Sequence, residues 1–491
     1  MTLNLKKNLE NDVQSLVLLL DDSVSIPSSL PEFYEAELQQ MVEPIFSREV
    51  FTGKIGQVHS GMIKVNDGYV DVMLVGMGNY DSFSPIKLQH AVAESIKKLK
   101  SCGVETIDIY AAGLVQFMDS MRKRSILMAE AVHLSGYEFN RYKSDSKDDA
   151  LKAVTLIGDF DETALDEGSV LAASMMKARE LVNLPANELT PEALGARAVS
   201  LGEESGFEVE LKDLTQIKEL GMEAYLSVTR ASALPPVLIV MRYTGAPDSD
   251  QRLGLVGKGL TYDSGGLSIK PTASMVNMKD DMGGAATVIG AMNAIASMKL
   301  KVNVTAVVAA CENMISGTSY RPGDIISSMA GKSIFIGNTD AEGRLTLIDA
   351  VNYIIDKENA SAVIDVATLT GAAVHCLGTE ATCAISNNDD YYELVAKGFS
   401  KANENVWRFP IFDEYKELLK HHEADLTNIA GSPGMITAGM FIGEFVKDKP
   451  WVHLDIAGTA FRDKAKGIYT RGGTGVAVRP LYYVAKKLAH K

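Results

Sequence analysis

The strongest constraint on the fold is an alternation of short apolar runs with amphipathic helical stretches, which repeats along most of the chain. In the first part, residues 70–75 predict a buried strand, residues 86–99 an amphipathic helix and residues 106–112 the next strand. A second and longer series of the same kind begins at residue 237. Strand–helix–strand order is typical of a parallel or mixed sheet that is covered by helices. The sequence therefore predicts an α/β protein.

Chain length and local composition predict more than one domain. At 491 residues the chain is too long for one typical hydrophobic core. Charged residues cluster at 143–149, and residues 159–167 are acidic with few large apolar side chains, as at a domain edge. We therefore expect an amino-terminal α/β domain over residues 1–150, a linker region over residues 151–172 and a carboxyl-terminal domain over residues 173–491.

Composition excludes several classes of protein. A formal net charge of -15 argues against general binding to nucleic acid or anionic membranes, because an acidic surface repels phosphate groups. The 4 cysteines form no CxxC pair, which indicates a reduced intracellular protein without a cysteine–zinc site. No apolar stretch approaches the roughly 18 residues of a membrane span, and residues 1–21 lack the features of a signal peptide. We expect a cytoplasmic protein with no membrane and no nucleic-acid partner.

Acidic residues stand at the predicted ends of strands in the second series. Asp263, Asp340 and Glu342 each follow an apolar run, and Asp281 precedes a helix that two glycines open. The ligand crevice of an open α/β sheet lies outside the carboxyl ends of its strands. Carboxylates that converge there repel one another unless protons or cations neutralise them, and hard divalent metals prefer such oxygen ligands. The pattern is therefore compatible with a site for two metal ions.

Three cationic residues, Lys258, Lys270 and Arg344, lie in the same segments. Cations beside a carboxylate cluster suit the stabilisation of an oxyanion. A simpler interpretation stays open, because acidic residues at strand ends are most often helix caps or solvated loop residues. The sequence contains no HExxH zinc motif, no GxSxG serine-hydrolase motif and no Walker A motif.

Segments of the larger domain resemble one known family of enzymes. Residues 338–345, NTDAEGRL, match at every position the signature of the leucyl (cytosol) aminopeptidase family of dinuclear metallo-exopeptidases. Similar segments are LVNLPANELTP (181–191), VGKGLTYDSGG (256–266), MKDDMGGAA (278–286), ENMISGTSYRPGD (312–324), DVATLTGA (365–372) and HLDIAGTA (453–460). The resemblance is strong over residues 170–485 and concerns only the general layout over the first 150 residues.

The resemblance implies a fold and a metal centre. It implies a smaller, macro-domain-like amino-terminal α/β domain and a larger carboxyl-terminal catalytic peptidase domain with a mixed, mostly parallel central sheet flanked by helices. It also implies two divalent metal ions per subunit, Mn²⁺ or Zn²⁺, with Mg²⁺ or Co²⁺ as alternatives. The implied metal ligands are Lys258, Asp263, Asp281, Asp340 and Glu342. Asp263 and Glu342 would bridge the two ions, and Lys258 would bind as a neutral amine.

The resemblance further implies an activity. A water molecule activated by the two metals would hydrolyse the first peptide bond of substrates with a free amino terminus, preferentially after leucine and other apolar residues. Lys270 would stabilise the oxyanion, and Arg344 would hold a bicarbonate that relays a proton. The pocket for the first side chain would be lined by Met278, Thr368, Gly371, Ala457 and Ala460. The implied assembly is a homohexamer.

Three other functions were weighed against an aminopeptidase. An architectural DNA-binding role is opposed by the net charge of -15. A macro-domain-like binding role of the amino-terminal domain has no motif to support it. An inactive structural homologue is disfavoured because all five implied ligands are present, together with Lys270 and Arg344.

Overall fold

The computed structural model describes residues 1–10, 13–144 and 150–490. Its chain forms two compact units. The first comprises Met1–Ala173 and Lys464–Thr470, and the second comprises Ser174–Asp463 and Arg471–Lys491. Most of the charge cluster expected at residues 143–149 lies outside the described residues.

The first unit is built on a six-stranded sheet. Its strands are β1 (Thr2–Lys6), β2 (Ser15–Asp21), β3 (Val58–Val65), β4 (Gly68–Gly78), β5 (Thr106–Tyr110) and β6 (Ala153–Ile157). They lie in the order β1-β6-β5-β2-β4-β3, and neighbouring strands are parallel except β3 and β4. The helices are α1 (Glu32–Ser47), α2 (Pro85–Ser101) and α3 (Met121–Ser135). The strand and helix expected at residues 70–75 and 86–99 are thereby confirmed.

The central strand β2 shows why this sheet is covered on both faces. Leu16, Leu18 and Leu20 belong to the buried cluster that includes side chains of α1. Val17 and Leu19 belong to the cluster that includes side chains of α2 and α3. Because successive side chains of a strand point to opposite faces, a continuous apolar run requires packing on both sides.

The prediction of a linker over residues 151–172 is wrong. This segment forms β6 of the first sheet and the first half of helix α4 (Glu162–Asn183). The acidic residues mark the start of that helix, because Asp161 Oδ1 accepts hydrogen bonds from the backbone N–H groups of Thr163 and Ala164. Phe160 and Leu165 join the buried cluster of the first unit. Asp161 and Glu162 therefore belong to a helix terminus, whereas Glu167 of the same acidic stretch is buried and pairs with Arg122.

The second unit contains the longer strand–helix series. Its strands are β7 (Glu208–Lys212), β8 (Val237–Thr244), β9 (Arg252–Asp263), β10 (Asn303–Asn313), β11 (Ile325–Ile326), β12 (Ile334–Phe335), β13 (Ala362–Ala367), β14 (Thr382–Ser386), β15 (Val406–Arg408), β16 (Leu426–Thr427), β17 (Trp451–Asp455), β18 (Phe461–Arg462) and β19 (Gly472–Gly473). Eight of them form one sheet in the order β15-β14-β17-β13-β9-β10-β8-β7. The small sheet β11-β12-β16 and the pair β18-β19 stand apart.

Helices of the second unit follow the same alternation. They are α5 (Pro191–Ser205), α6 (Leu214–Glu219), α7 (Glu223–Thr229), α8 (Thr272–Met275), α9 (Gly283–Ser297), α10 (Gly343–Asp356), α11 (Gly371–Leu377), α12 (Asp389–Lys401), α13 (Asp413–Glu417), α14 (Gly434–Gly443) and α15 (Val478–Leu488), after the second half of α4. Among the described residues, no helix combines the length and the apolar character needed to cross a bilayer.

The centre of the larger sheet is parallel, and its outer strands are mixed. Strands β17, β13, β9 and β10 run in one direction, whereas β8 and β14 are antiparallel to their inner neighbours. The carboxyl ends of the four central strands therefore meet at one edge. The expected two-domain α/β architecture with a mixed, mostly parallel catalytic sheet is confirmed.

Candidate active site

The candidate metal ligands lie around the carboxyl ends of the central strands. Lys258 lies within β9 and Asp263 ends it, whereas Asp281 lies just before α9. Asp340 and Glu342 lie between β12 and α10. One carboxylate oxygen from each of Asp263, Asp340 and Glu342 lies within 4.8 Å of the others. The structure thus brings together side chains that are far apart in the sequence.

Lys258 forms the inner half of this cluster. Its Nζ lies 2.7 Å from Asp281 Oδ1 and 3.0 Å from Glu342 Oε1. The same ammonium donates a hydrogen bond of 3.0 Å to the backbone oxygen of Thr368. Thr368 Oγ1 donates to Asp281 Oδ1 at 2.9 Å. Since the lysine and both carboxylates are buried, this half of the site is held away from water.

Lys270 forms the outer half. Its Nζ lies 2.8 Å from Asp263 Oδ2 and 2.5 Å from Asp340 Oδ1. The other oxygen of Asp263 accepts hydrogen bonds of 2.8 Å from the backbone N–H of Gly265 and from Asn313 Nδ2. The Lys270 and Asp340 side chains keep 15% and 32% of their surface exposed, against 3% for Lys258. Solvent and substrate can therefore reach this half.

The carboxylates influence one another strongly. Burial raises the pKa of Asp263 to about 6, and the charge of Glu342 adds to this effect against the opposing lysines. Burial also raises the pKa of Asp281 well above its usual range. For Glu342 burial acts in the same direction, but the charges of Lys258 and Lys270 outweigh it and lower the pKa. Burial thus disfavours the charged forms of Asp263 and Asp281, whereas the two lysines favour the charged form of Glu342.

Lys258 is held as an ammonium by its neighbours. Burial alone would lower its pKa, but the charges of Asp281, Glu342 and Asp263 outweigh burial and raise the pKa. Binding through a neutral amine, as the resemblance implies, requires the pKa of Lys258 to fall. Divalent cations on the same carboxylates would lower it, because their charge would become the largest in the site.

The donor set fits divalent metal ions. Within the described chain, Asp281 Oδ2 and Glu342 Oε2 are buried without a hydrogen-bond partner. Buried carboxylate oxygens are costly unless they are paired or coordinate a metal. Oxygen donors with one amine nitrogen suit Zn²⁺, Mn²⁺ and Mg²⁺. The residues present can therefore hold such ions.

Two glycines allow the loops to approach this closely. A Cβ atom on Gly343 would lie 2.5 Å from Lys258 Cε, so a side chain there would displace the lysine. Gly265 has a φ of +86°, and a Cβ there would lie 2.7 Å from Asp340 Oδ1. The glycines of the two motifs therefore serve the packing of the candidate ligands.

Arg344 lies in the first turn of α10 and is buried. Its Nε has no hydrogen-bond partner in the described part of the chain. Burial lowers its pKa to about 10, while the charges of Glu342 and Asp455 oppose this shift. The guanidinium group thus stands beside the carboxylate cluster with unused capacity to bind an anion.

The expected side-chain pocket is brought together in part. A Cβ atom on Gly283 would lie 3.1 Å from Thr368 Cγ2 and 3.3 Å from Ala460 Cβ, so both side chains surround the start of α9. The backbone N–H of Ala457 donates to Asp455 Oδ1 at 3.1 Å. Met278 lies in a single 3₁₀ turn before Asp281, and Gly371 opens α11 behind the Thr370 cap. The roles of all five pocket residues stay predictions.

Two supporting residues were missed by the sequence analysis. Asn313, fully buried at the end of β10, donates from Nδ2 to Asp263 Oδ1 and to the backbone oxygen of Thr339. Asp455, at the end of β17, accepts from the backbone N–H of Leu369 and from Thr370 Oγ1. Both follow apolar strands directly, which is the signal that had singled out Asp263.

Comparisons with known proteins cover both units. The sequence model of the cytosol aminopeptidase family matches residues 176–482 with its catalytic domain and residues 16–146 with its N-terminal domain. A probable cytosol aminopeptidase of Clostridium perfringens (strain 13 / Type A) is 45% identical over 487 residues, covering 96% of each chain. Another, from Alkaliphilus metalliredigens (strain QYMF), is 42% identical and covers 97% of each chain.

Solved structures agree with the sequence relatives. The bottromycin maturation enzyme BotP superposes with a TM-score of 0.86 at 30% identity, over 98% of this chain and 100% of that chain. The same enzyme in complex with Mn also gives a TM-score of 0.86, at 31% identity, over 97% of this chain and 100% of that chain.

Fold, carboxylate cluster and relatives together define a peptidase of the metal-dependent aminopeptidase class. The chain belongs to the cytosol aminopeptidase family. The resemblance noted in the sequence is confirmed, and the family match reaches further than expected, because it includes residues 16–146 of the first unit.

Proposed function

We propose that the protein is a leucyl aminopeptidase that uses two divalent metal ions to remove leucine and other apolar residues from peptides with a free amino terminus. The carboxylate cluster carries this proposal, because oxygens of Asp263, Asp340 and Glu342 lie within 4.8 Å of one another. In addition, Asp281 Oδ2 and Glu342 Oε2 are buried without a hydrogen-bond partner among the described residues. The proposed metal ligands are Lys258, Asp263, Asp281, Asp340 and Glu342.

When bound, two divalent cations would supply the Lewis acidity that activates a water molecule and the peptide carbonyl. The chain's own residues do the remaining work. The inner carboxylates, Asp281 and Glu342, are buried and would hold the cations at the side of the site that is closed to bulk solvent. Lys270 lies at the more exposed side, where its ammonium would donate to the oxyanion that forms on the carbonyl oxygen. Mn²⁺ is supported by the Mn complex of BotP, with Zn²⁺ as the alternative.

Arg344 is proposed to hold a bicarbonate ion that moves a proton to the leaving amine. Its guanidinium is buried beside Glu342 and Asp455, and its Nε lacks a partner within the described residues. Bicarbonate is a planar anion, and two of its oxygens can accept hydrogen bonds from the planar guanidinium fork.

The proposed specificity is broad and apolar. Thr368 and Ala460 present methyl groups beside the start of α9, close to the carboxylate that Thr368 also contacts. Leucine and methionine suit such a pocket, formed with Met278, Gly371 and Ala457. Selectivity between apolar side chains in a pocket of this kind is roughly tenfold to 200-fold per methylene.

Location and assembly are also proposals. The relatives are named cytosol aminopeptidases, which supports a cytoplasmic location. The homohexamer implied by the family resemblance is checked by light scattering on the purified protein. We expect no affinity for a DNA duplex at moderate salt, given the net charge of -15.

The decisive test measures leucine release from Leu-Gly-Gly by chelator-stripped protein, with and without Mn²⁺ or Zn²⁺. An N-acetylated copy of the peptide serves as the matched substrate control. Release that depends on metal and on the free amine supports the proposal. Release from neither peptide under any metal contradicts the enzyme function, and equal cleavage of both contradicts recognition of the free amine.

A further inference from the structure

We propose that Asn428 is a positioning residue, which holds the loop carrying Asp340 and Glu342 in the conformation that binds metal. The inference rests on the proposed function, because it concerns the same site. Asn428 lies outside every motif that carries the family resemblance and is separated by 91 positions from the loop residue it contacts most directly.

The small sheet brings Asn428 to this loop. Strands β12 and β16 are parallel, with Phe335 paired to Thr427. The backbone N–H of Asn428 donates to the Phe335 oxygen at 3.0 Å, so the ladder continues past the end of β16. Strand β12 leads directly into residues 337–342, which have neither helical nor strand structure. The Asn428 side chain therefore lies where this loop begins.

The Asn428 amide binds the loop backbone from both of its ends. Its Oδ1 accepts hydrogen bonds from the N–H groups of Gly337, at 2.8 Å, and Asn338, at 3.3 Å. Its Nδ2 donates to the backbone oxygens of Asn338, at 2.6 Å, and Ala341, at 3.4 Å. Asn428 is fully buried. All four hydrogen-bonding positions of the amide are thus used on one loop.

One further hydrogen bond connects these contacts to the candidate ligands. The side chain of Asn338, whose backbone Asn428 holds, accepts a hydrogen bond of 2.7 Å from the N–H of Asp340. Ala341 lies between Asp340 and Glu342 in the chain. Because no regular secondary structure fixes the loop, removing the Asn428 amide removes hydrogen bonds to the backbone on both sides of Asp340, although Thr339 keeps its own partners. Partners that orient ligands typically contribute about 10- to 100-fold to metal affinity.

The test replaces Asn428 by alanine and compares it with a matched asparagine remote from the site. Asn303 is also buried, and its Nδ2 donates to the oxygens of Ala246 and Ser249, both at 2.7 Å. It lies at the end of β10 opposite to Asn313. Full-length wild type, Asn428→Ala and Asn303→Ala are stripped with chelator and titrated with Mn²⁺ by calorimetry. Metal-free unfolding temperature, kcat and KM are measured on the same samples.

We expect Asn428→Ala to weaken Mn²⁺ binding by about 10- to 100-fold and to lower kcat more than it raises KM. Asn303→Ala should lower the unfolding temperature comparably and leave Mn²⁺ affinity within about twofold of wild type. Equal Mn²⁺ affinity and kcat in the two variants would overturn the role of Asn428.

A second variant covers the case in which Asn428→Ala does not fold. Asn338→Ala removes the bond to the Asp340 N–H and leaves Asn428 in place. Weakened Mn²⁺ binding by this variant supports the connection from Asn428 through Asn338 to Asp340, and unchanged binding overturns it. Wild-type protein that neither binds Mn²⁺ nor cleaves Leu-Gly-Gly would instead overturn the proposed function, which distinguishes the two failures.

Discussion

The two large sheets end in loops of very different chemistry, although both arise from the same strand–helix alternation. At the end of β2 in the first unit, Asp21 accepts a hydrogen bond from the backbone N–H of Ser23, two residues away. Arg124 of the same unit donates to the backbone oxygens of Met118, Asp119 and Asp159. These polar groups thus find hydrogen-bond partners in the loops at this edge of the first sheet.

The second sheet gathers charges that its own loops do not satisfy. Asp281 and Glu342 each keep one buried oxygen without a partner among the described residues. Lys258, which contacts both, lies in β9, and Lys270, which contacts Asp263 and Asp340 instead, lies in the loop after it. The fold thus brings strand ends together in both units, whereas only the side chains at the strand ends of the second unit form a candidate metal site.

The largest expected effect is that of replacing a carboxylate at the edge of the second sheet. A matched replacement at the edge of the first sheet is the control. Glu342→Gln removes the charge that contacts Lys258 and a proposed bridging ligand. We expect kcat/KM for Leu-Gly-Gly to fall beyond the roughly 100-fold that is typical of outer partners of a metal site. Metal content measured by atomic spectroscopy should fall with it.

The matched exchange in the first unit is Asp21→Asn, which alters the turn that Asp21 Oδ1 holds through the backbone N–H of Ser23. We expect kcat/KM within about twofold of wild type, as for most surface changes. A comparable loss of activity in both variants would contradict the division of chemistry between the two sheets.

The second prediction concerns a smaller effect on kcat and a difference in metal content between variants of Lys270 and Lys258. Lys270→Ala should lower kcat by about 100-fold, at the lower end of the range for removing one oxyanion donor. It should leave two metal ions bound, since Lys270 is the more exposed lysine and is no proposed ligand. Lys258→Ala should lose metal as well. Identical metal loss in the two variants would show that Lys270 mainly holds the carboxylates.

Sequence patterning was sufficient for the elements that frame the site. The apolar run at residues 362–367 is β13, and the apolar periodicity at 345–355 lies within α10, because long buried elements leave a strong apolar pattern in the sequence. The acidic start of α4 was mistaken for a linker, because charge alone does not distinguish a helix terminus from an extended segment. The sequence therefore predicts helix boundaries that are set by capping less well than it predicts the buried elements of the core.

The candidate site was less accessible to pattern reasoning. Spacing left metal binding and helix capping equally open for Asp263 and Glu342, and the family resemblance supplied the choice. Asn428 and Asn313 were missed because their partners lie 91 and 50 positions away. Contacts over such separations depend on which strands become neighbours, and no local pattern encodes that order.

The third prediction concerns packing at the inner half of the site. Gly343→Ala places a methyl group against Lys258, with 2.5 Å to its Cε. We expect the free energy of unfolding to fall by about 1–3 kcal/mol, the usual cost of overpacking a buried site. Gly317→Ala is the control, because a Cβ there meets no atom within 4 Å. Urea unfolding of both variants measures the difference, and equal stability would contradict the tight packing of Lys258.

The smallest expected effect belongs to an ion pair of the first unit. Lys152 Nζ lies 2.7 Å from Glu105 Oε2, as short as the contact between Lys258 and Asp281, but its side chains are 69% and 56% exposed. Water and salt screen such a pair, so a double-mutant cycle with Lys152→Ala and Glu105→Ala should give a coupling below about 1 kcal/mol. The coupling should shrink further in 1 M salt. A larger, salt-resistant coupling would mean that distance, and not burial, sets the strength of these lysine–carboxylate contacts.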